Sequence, residues 1–210
     1  MATIYTFHSI KQLNKNITHL TFYNDFNCKI NIPTNILHLT FGCHFDQKII
    51  IPQNVTHLIF KFRFRFNKKI KLTNSITHLT IGFNFSQKIK LLNNITHLNL
   101  RCKTNFNHKI KLPCHITHLI IEHKFNYKLK LPLHITHLTI GIGFEFNRKI
   151  NLPSSITNLI LLHRCKLKLI MHHNLKYVII GYDSNKKINI FNNIKYSIQK
   201  LQYKTIITKY

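Results

Sequence analysis

The chain has 210 residues, with 31 Lys and Arg against 5 Asp and Glu, a formal net charge of +26. Its five acids (Asp25, Asp46, Glu122, Glu145 and Asp183) are scattered, leaving no carboxylate pair at an acid/base spacing. No stretch approaches the roughly eighteen apolar residues of a membrane-spanning helix.

Residues 1–16 precede the first regular element and are expected to cap it. Met1 to Lys15 lack the continuous apolar run of a signal peptide, so the expected compartment is intracellular, cytoplasmic or nuclear. The cysteines (Cys28, Cys43, Cys102, Cys114 and Cys165) are odd in number and lack a C-x-x-C spacing. That pattern fits reduced structural thiols. Cys43 and His44 are neighbours, but without a third group to orient the imidazole they make a poor nucleophile pair.

From residue 17 to 193 the chain repeats. The anchors Ile17, Ile36, Val55, Ile76, Ile95, Ile116, Ile135, Ile156 and Leu175 are separated by 19 or 21 residues. A period near twenty predicts a solenoid of about nine coils, each stacked on the last. Three residues beyond each anchor stands Leu20 and its counterparts, and two further on Phe22, Phe41, Phe60, Ile81, Leu100, Ile121, Ile140, Leu161 and Ile180. This period-two alternation predicts a short strand in each coil. A Phe column follows (Phe26, Phe45, Phe66, Phe85, Phe106, Phe125 and Phe146), then an Ile-x-Ile piece such as Ile30–Ile32, expected to form a second extended row.

All five prolines (Pro33, Pro52, Pro113, Pro132 and Pro153) follow that piece, where a missing N–H would end a ladder. Gly42, Gly82, Gly141 and Gly181 follow the first strand, where a tight bend would call for positive φ. Asn27, Asp46, Asn67, Ser86, Asn107, Asn126, Asn147, Lys166 and Asn185 follow the Phe column, and its stacked Asn side chains are expected to form a ladder. In the last segment, 194–210, Ile194, Ile198 and Leu201 fall at i, i+4 and i+7, predicting a short capping helix and a tail. The expected architecture is therefore mainly β, a single solenoid with a cap at each end.

The residues Phe26, Asn27, Ile30, Ile32, Pro33, Ile36, Leu39, Phe41 and Gly42 resemble the FNIP repeat, named for its Phe-Asn-Ile-Pro residues. The resemblance extends over about residues 13–192. It implies a leucine-rich-repeat-like fold of a kind found in social amoebae and in giant viruses of amoebae. Many such proteins carry an F-box before the repeats, and the sixteen residues before Ile17 are too few to hold one. The implied protein is thus a recognition surface without that effector, with no catalytic residues and no cofactor.

Two outward columns are candidate binding sites. His19, His38, His57, His78, His97, His118 and His137 each precede an inward Leu, facing the side that leucine-rich-repeat-like proteins offer to partners. A straight row of imidazoles does not converge tetrahedrally, so it suits a pH-sensitive protein-binding face better than a metal site. Lys29, Lys48, Lys69, Lys88, Lys109, Lys128 and Lys149 form a basic stripe, supplemented by Lys71, Lys90, Lys111 and Lys130. A one-sided stripe suits a polyanion, with nucleic acid the alternative partner, while AT-rich coding would produce the same lysines with no ligand. Phe62 and Phe64, interleaved with Lys61, Arg63 and Arg65, would serve base stacking in that case. The leading expectation is a non-enzymatic scaffold for an unidentified protein partner.

Overall fold

Each coil begins with four residues that alternate half-buried and buried, and these form the strands of a parallel β-solenoid. The computed structural model describes residues 2–5, 16–61, 68–82, 89–101, 111–122, 130–141, 152–162, 173–181, 196–201 and 204–209. They belong to two compact units, Met1–Lys109 and Ile110–Tyr210. No helix occurs among the described residues, and none is long and apolar enough to cross a membrane.

The first unit holds β1 (Ala2–Tyr5), β2 (His19–Phe22), β3 (His38–Phe41), β4 (His57–Phe60), β5 (His78–Ile81) and β6 (His97–Leu100), hydrogen-bonded in that order. All neighbours are parallel and in strict register, so His19 faces His38 and Leu20 faces Leu39. The second unit holds β7 (His118–Ile121), β8 (His137–Ile140), β9 (Asn158–Leu161) and β10 (Tyr177–Gly181), parallel and in the same register. It ends with β11 (Tyr196–Leu201) and β12 (Lys204–Lys209).

The anchor, Leu and Phe columns make the core. Ile36, Leu39, Phe41, Val55 and Leu58 are fully buried in the first unit, as are Ile135, Ile156 and Leu159 in the second. In the first coils the aromatic rings form a spine. Phe22 stacks on Phe26 at 4.5 Å and on Phe41 at 5.4 Å, and Phe41 stacks on Phe60 at 5.6 Å. Such contacts add about 0.5–1.5 kcal/mol each beyond burial. Phe66, Phe85, Phe106, Phe125 and Phe146 lie outside the described residues.

The second half of each of the first three coils departs from expectation. Ile49, Ile51 and Leu72 are buried, but residues 29–32, 48–51 and 69–72 form no strand. Alternation reports which side chains turn inward, and it does not report whether neighbouring main chains approach closely enough to pair. With no ladder there, proline has none to end. Its carbonyl instead closes a turn, accepting from the anchor three residues on: Ile36 N–H to Pro33 at 3.3 Å and Val55 N–H to Pro52 at 3.2 Å. Thr73 and Leu92 close the same turn without proline, which explains why the column tolerates gaps.

The glycines also serve another purpose than expected. None of Gly42, Gly82 and Gly141 has a left-handed φ. The constraint is close approach: a Cβ on Gly42 would sit 2.0 Å from the Tyr23 carbonyl oxygen of the preceding coil, and one on Gly82 2.1 Å from that of Lys61.

The C-terminal helix is likewise replaced. β12 pairs antiparallel with β10, and β11 pairs antiparallel with β12, so the cap is a β-hairpin. Three apolar residues at helical spacing are a weak local signal. The last parallel strand, β10, would otherwise present an open row of N–H and C=O groups. The run Thr205, Ile206, Ile207, Thr208 is β-branched and suited to pair with it. At the other end β1, which lacks any repeat signature, covers the edge of β2.

Two substitutions test this architecture. Gly42→Ala should destabilise the first unit by about 1–3 kcal/mol or more, because the added methyl meets main chain and not a movable side chain. Urea unfolding measures it. Leu98→Asp, at a position 1 % exposed, should cost several kcal/mol, whereas His97→Ala on the outward face should stay within about 1 kcal/mol. Equal damage from the two would contradict the facing of β6.

Candidate functional site

The outward face of the sheet is built by the Thr-His pair at the start of β2, β4, β5, β6, β7 and β8, with Leu37-His38 in its place in β3 and Thr157-Asn158 in β9. Thr18, Thr56, Thr77, Thr117 and Thr136 each present a backbone carbonyl that accepts from later coils. The Thr56 oxygen takes both Thr77 N–H and His78 N–H at 3.0 Å, and the Thr136 oxygen takes Thr157 N–H at 2.9 Å and Asn158 N–H at 3.0 Å. The threonine hydroxyls reach the same carbonyls, as Thr77 does to Thr56 at 3.4 Å and Thr136 to Thr117 at 3.2 Å. Within each unit, successive coils are thereby tied where the strand begins.

Those hydroxyls also hold the histidines. Thr Oγ1 lies 2.8–2.9 Å from Nδ1 of the next residue at His19, His57, His78, His97, His118 and His137. A hydroxyl carries one proton. If it goes to the carbonyl, Nδ1–H donates to the threonine and Nε2 becomes an acceptor. If it goes to Nδ1, Nε2 carries the hydrogen. Asn158 replaces histidine in β9 and meets the Thr157 hydroxyl at 2.8 Å, so the amide serves as well as the imidazole.

With the threonine-preceded rings held at Nδ1 and the strands in register, the imidazoles stack, and the ring of His38, which follows Leu37, is placed by stacking. In the first unit His19, His38, His57, His78 and His97 form an unbroken pile, with centroids 3.9–4.0 Å apart and planes within 17°. In the second, His118 and His137 stack at 4.1 Å. All seven candidate histidines are half-buried on the outward face, as their sequence positions implied. Stacking sets neighbouring nitrogens side by side rather than around a common point, a geometry for contact and not for tetrahedral ligation.

The pile resists protonation. His57, at its centre, is lowered to about 4, first by burial and then by the charges that His78, His38, His97 and His19 would carry. His38 is lowered by burial and by His19 and His78, and His78 by burial. The unfolded chain, with ordinary imidazoles near 6.5, therefore binds more protons than the folded one between those values. The stabilisation from a neutral pile is complete above pH 6.5 and is lost as pH falls toward about 4.

The lysine stripe is only partly within the described residues. Lys29, Lys48 and Lys69 are exposed, as are Lys71, Lys90, Lys111 and Lys130. Lys88, Lys109, Lys128 and Lys149 lie outside, with Phe62 and Phe64. Lys68 pairs with Asp46 at 3.7 Å. Cys43 and His44 have separate partners: Sγ meets the Asn24 side-chain oxygen at 3.4 Å, and the exposed imidazole pairs with Asp25 at 3.1 Å. Cys28 and Cys114 are exposed and, like Cys43, form no disulfide.

Of the expected Asn ladder, one rung is described. The Asn27 side-chain oxygen accepts from Asp46 N–H at 2.8 Å and from the Gln47 amide at 3.2 Å. A second ladder was not anticipated. The residue before five of the anchors reaches back to a carbonyl of the preceding coil: Asn35 to Ile17, Asn54 to Thr34 and Ser75 to Val55 in the first unit, Ser155 to Ile135 and Asn174 to Ser154 in the second. Its signal was the recurrence of Asn or Ser directly before the anchor.

The FNIP Repeat family matches residues 8–44 and 30–63. Among solved structures, the chain is similar to "The crystal structure of CroV588 a novel circular LRR protein structure", with 34 % identity and a TM-score of 0.68. That similarity covers 82 % of this chain and 28 % of the other, so this chain spans well under half of that protein's length. No curated protein sequence matches.

Lowering the pH from 7 to about 4 should reduce the melting temperature of the protein, read by circular dichroism. His57→Asn should weaken that dependence while leaving stability at pH 7 nearly unchanged, because asparagine already occupies the equivalent place in β9.

Proposed function

From a chain that belongs to the FNIP-repeat, leucine-rich-repeat-like proteins, we infer a non-enzymatic scaffold whose outward sheet face binds a protein partner. The supporting observation is the pile of five imidazoles held in register on β2 to β6. Rows of side chains fixed by hydrogen bonds and stacking lose little entropy when a partner docks, which favours binding at a pre-formed surface. The face is also largely polar, with Thr21, Thr40 and Thr80 half-buried beside the histidines and Ile59 exposed among them. Partner recognition there depends on neutral imidazoles, able to donate or accept at Nε2, so acidification would weaken it. A nucleic-acid role for the lysine stripe finds no comparable support.

The test uses the full chain as bait in a cell lysate, with and without nuclease and at two salt concentrations. A partner of this face should survive both treatments. It should be lost from a His38→Asn, His57→Asn, His78→Asn variant whose melt at pH 7 matches the parent. Loss on nuclease treatment, or retention by the triple variant, would overturn the assignment.

A further inference from the structure

The second halves of the first two coils enclose an open groove of about 560 Å3, floored by Ile30, Ile32, Ile50 and Pro52 and flanked by Lys29 and Lys48. Three features of this groove go unused by the sheet face. Ile50 is 85 % exposed, whereas its neighbours Ile49 and Ile51 are 8 % and 4 % exposed and belong to the core. An aliphatic side chain standing free in solvent beside further apolar side chains is a surface awaiting cover.

The second feature is the main chain. Residues 29–32 and 48–51 run without strand pairing, and among the described residues no backbone hydrogen bond joins them. Main chain that is not paired with the neighbouring coil, beside apolar side chains, can offer hydrogen bonds to an added peptide. The third is charge. The two flanking lysines belong to a chain of net charge +26, so an acidic occupant is favoured. A second copy of this chain is poorly suited, because its five acids are dispersed and offer no acidic segment.

We propose that this groove binds an extended acidic peptide, which seats an aliphatic side chain against Ile30, Ile32 and Ile50 and sets flanking carboxylates against Lys29 and Lys48. Apolar contact then gives affinity that charge alone would not. That separates this site from a non-specific polyanion stripe, in which every exposed lysine counts equally. The site is also distinct from the histidine face.

Fluorescence anisotropy with a labelled peptide of sequence Glu-Asp-Leu-Glu-Ile-Asp-Glu tests the proposal. Ile50→Ser should weaken binding about tenfold or more, the loss of one buried aliphatic contact, with an unchanged thermal melt because the side chain is exposed. Lys29→Glu with Lys48→Glu should weaken it about tenfold or more, and Lys111→Glu with Lys130→Glu, an equal change of net charge, by only about twofold. His57→Asn should have no effect, so this site and the histidine face fail separately. Equal binding of a peptide with serine in place of leucine and isoleucine would overturn the proposal. So would equal losses from the two lysine pairs, Ile50-dependent dimerisation, or no binding at about 1 mM peptide.

Discussion

The main-chain tie at the start of each strand governs the rest of the structure. Within each unit, the carbonyl of the residue before the histidine accepts two backbone N–H groups from the next coil, and in several coils a threonine hydroxyl as well. Because that tie recurs at the same place along each unit, whether the coil has 19 or 21 residues, neighbouring strands there stay in register however the loops vary. Register puts Leu on Leu and Phe on Phe in the core, and His on His outside. A slip of one residue would exchange the two faces and bury imidazoles in place of leucines.

From this follows the character of the outward face. The threonine that ties the coils is the same residue that fixes Nδ1, so the structural and chemical roles of the Thr-His pair are one arrangement. The cost is electrostatic. Rings held 3.9–4.0 Å apart repel one another when charged, and the fold is more secure where His38, His57 and His78 are neutral. The Asn and Ser residues before several of the anchors form a second tie between coils that carries no charge.

The two halves of a coil obey different constraints. The strand half is satisfied by its neighbours and presents mostly side chains. The other half is held by its buried Ile and Leu and by the turn that closes at the anchor, while its main chain is left without strand partners. An exposed Ile50 between buried Ile49 and Ile51 belongs to that second condition, and it marks where the coil can accept further contacts.

The solenoid, its strands and their inward columns were legible in the residues, because a repeat that buries one face must show the same apolar residues at the same places. The outward facing of His57 followed from the burial of Leu58 by simple alternation. Other features depended on distances between segments far apart in the chain. Whether Ile30–Ile32 pairs with Ile49–Ile51, what crowds Gly42, and which nitrogen of His57 is engaged are set by neighbouring coils, not by local order. The ends show the division most plainly. Ile194, Ile198 and Leu201 are compatible with a helix in isolation, and the open edge of β10 drew residues 204–209 into a strand instead. A repeat determines its own interior, whereas its last edge is closed by whatever segment can supply the missing hydrogen bonds.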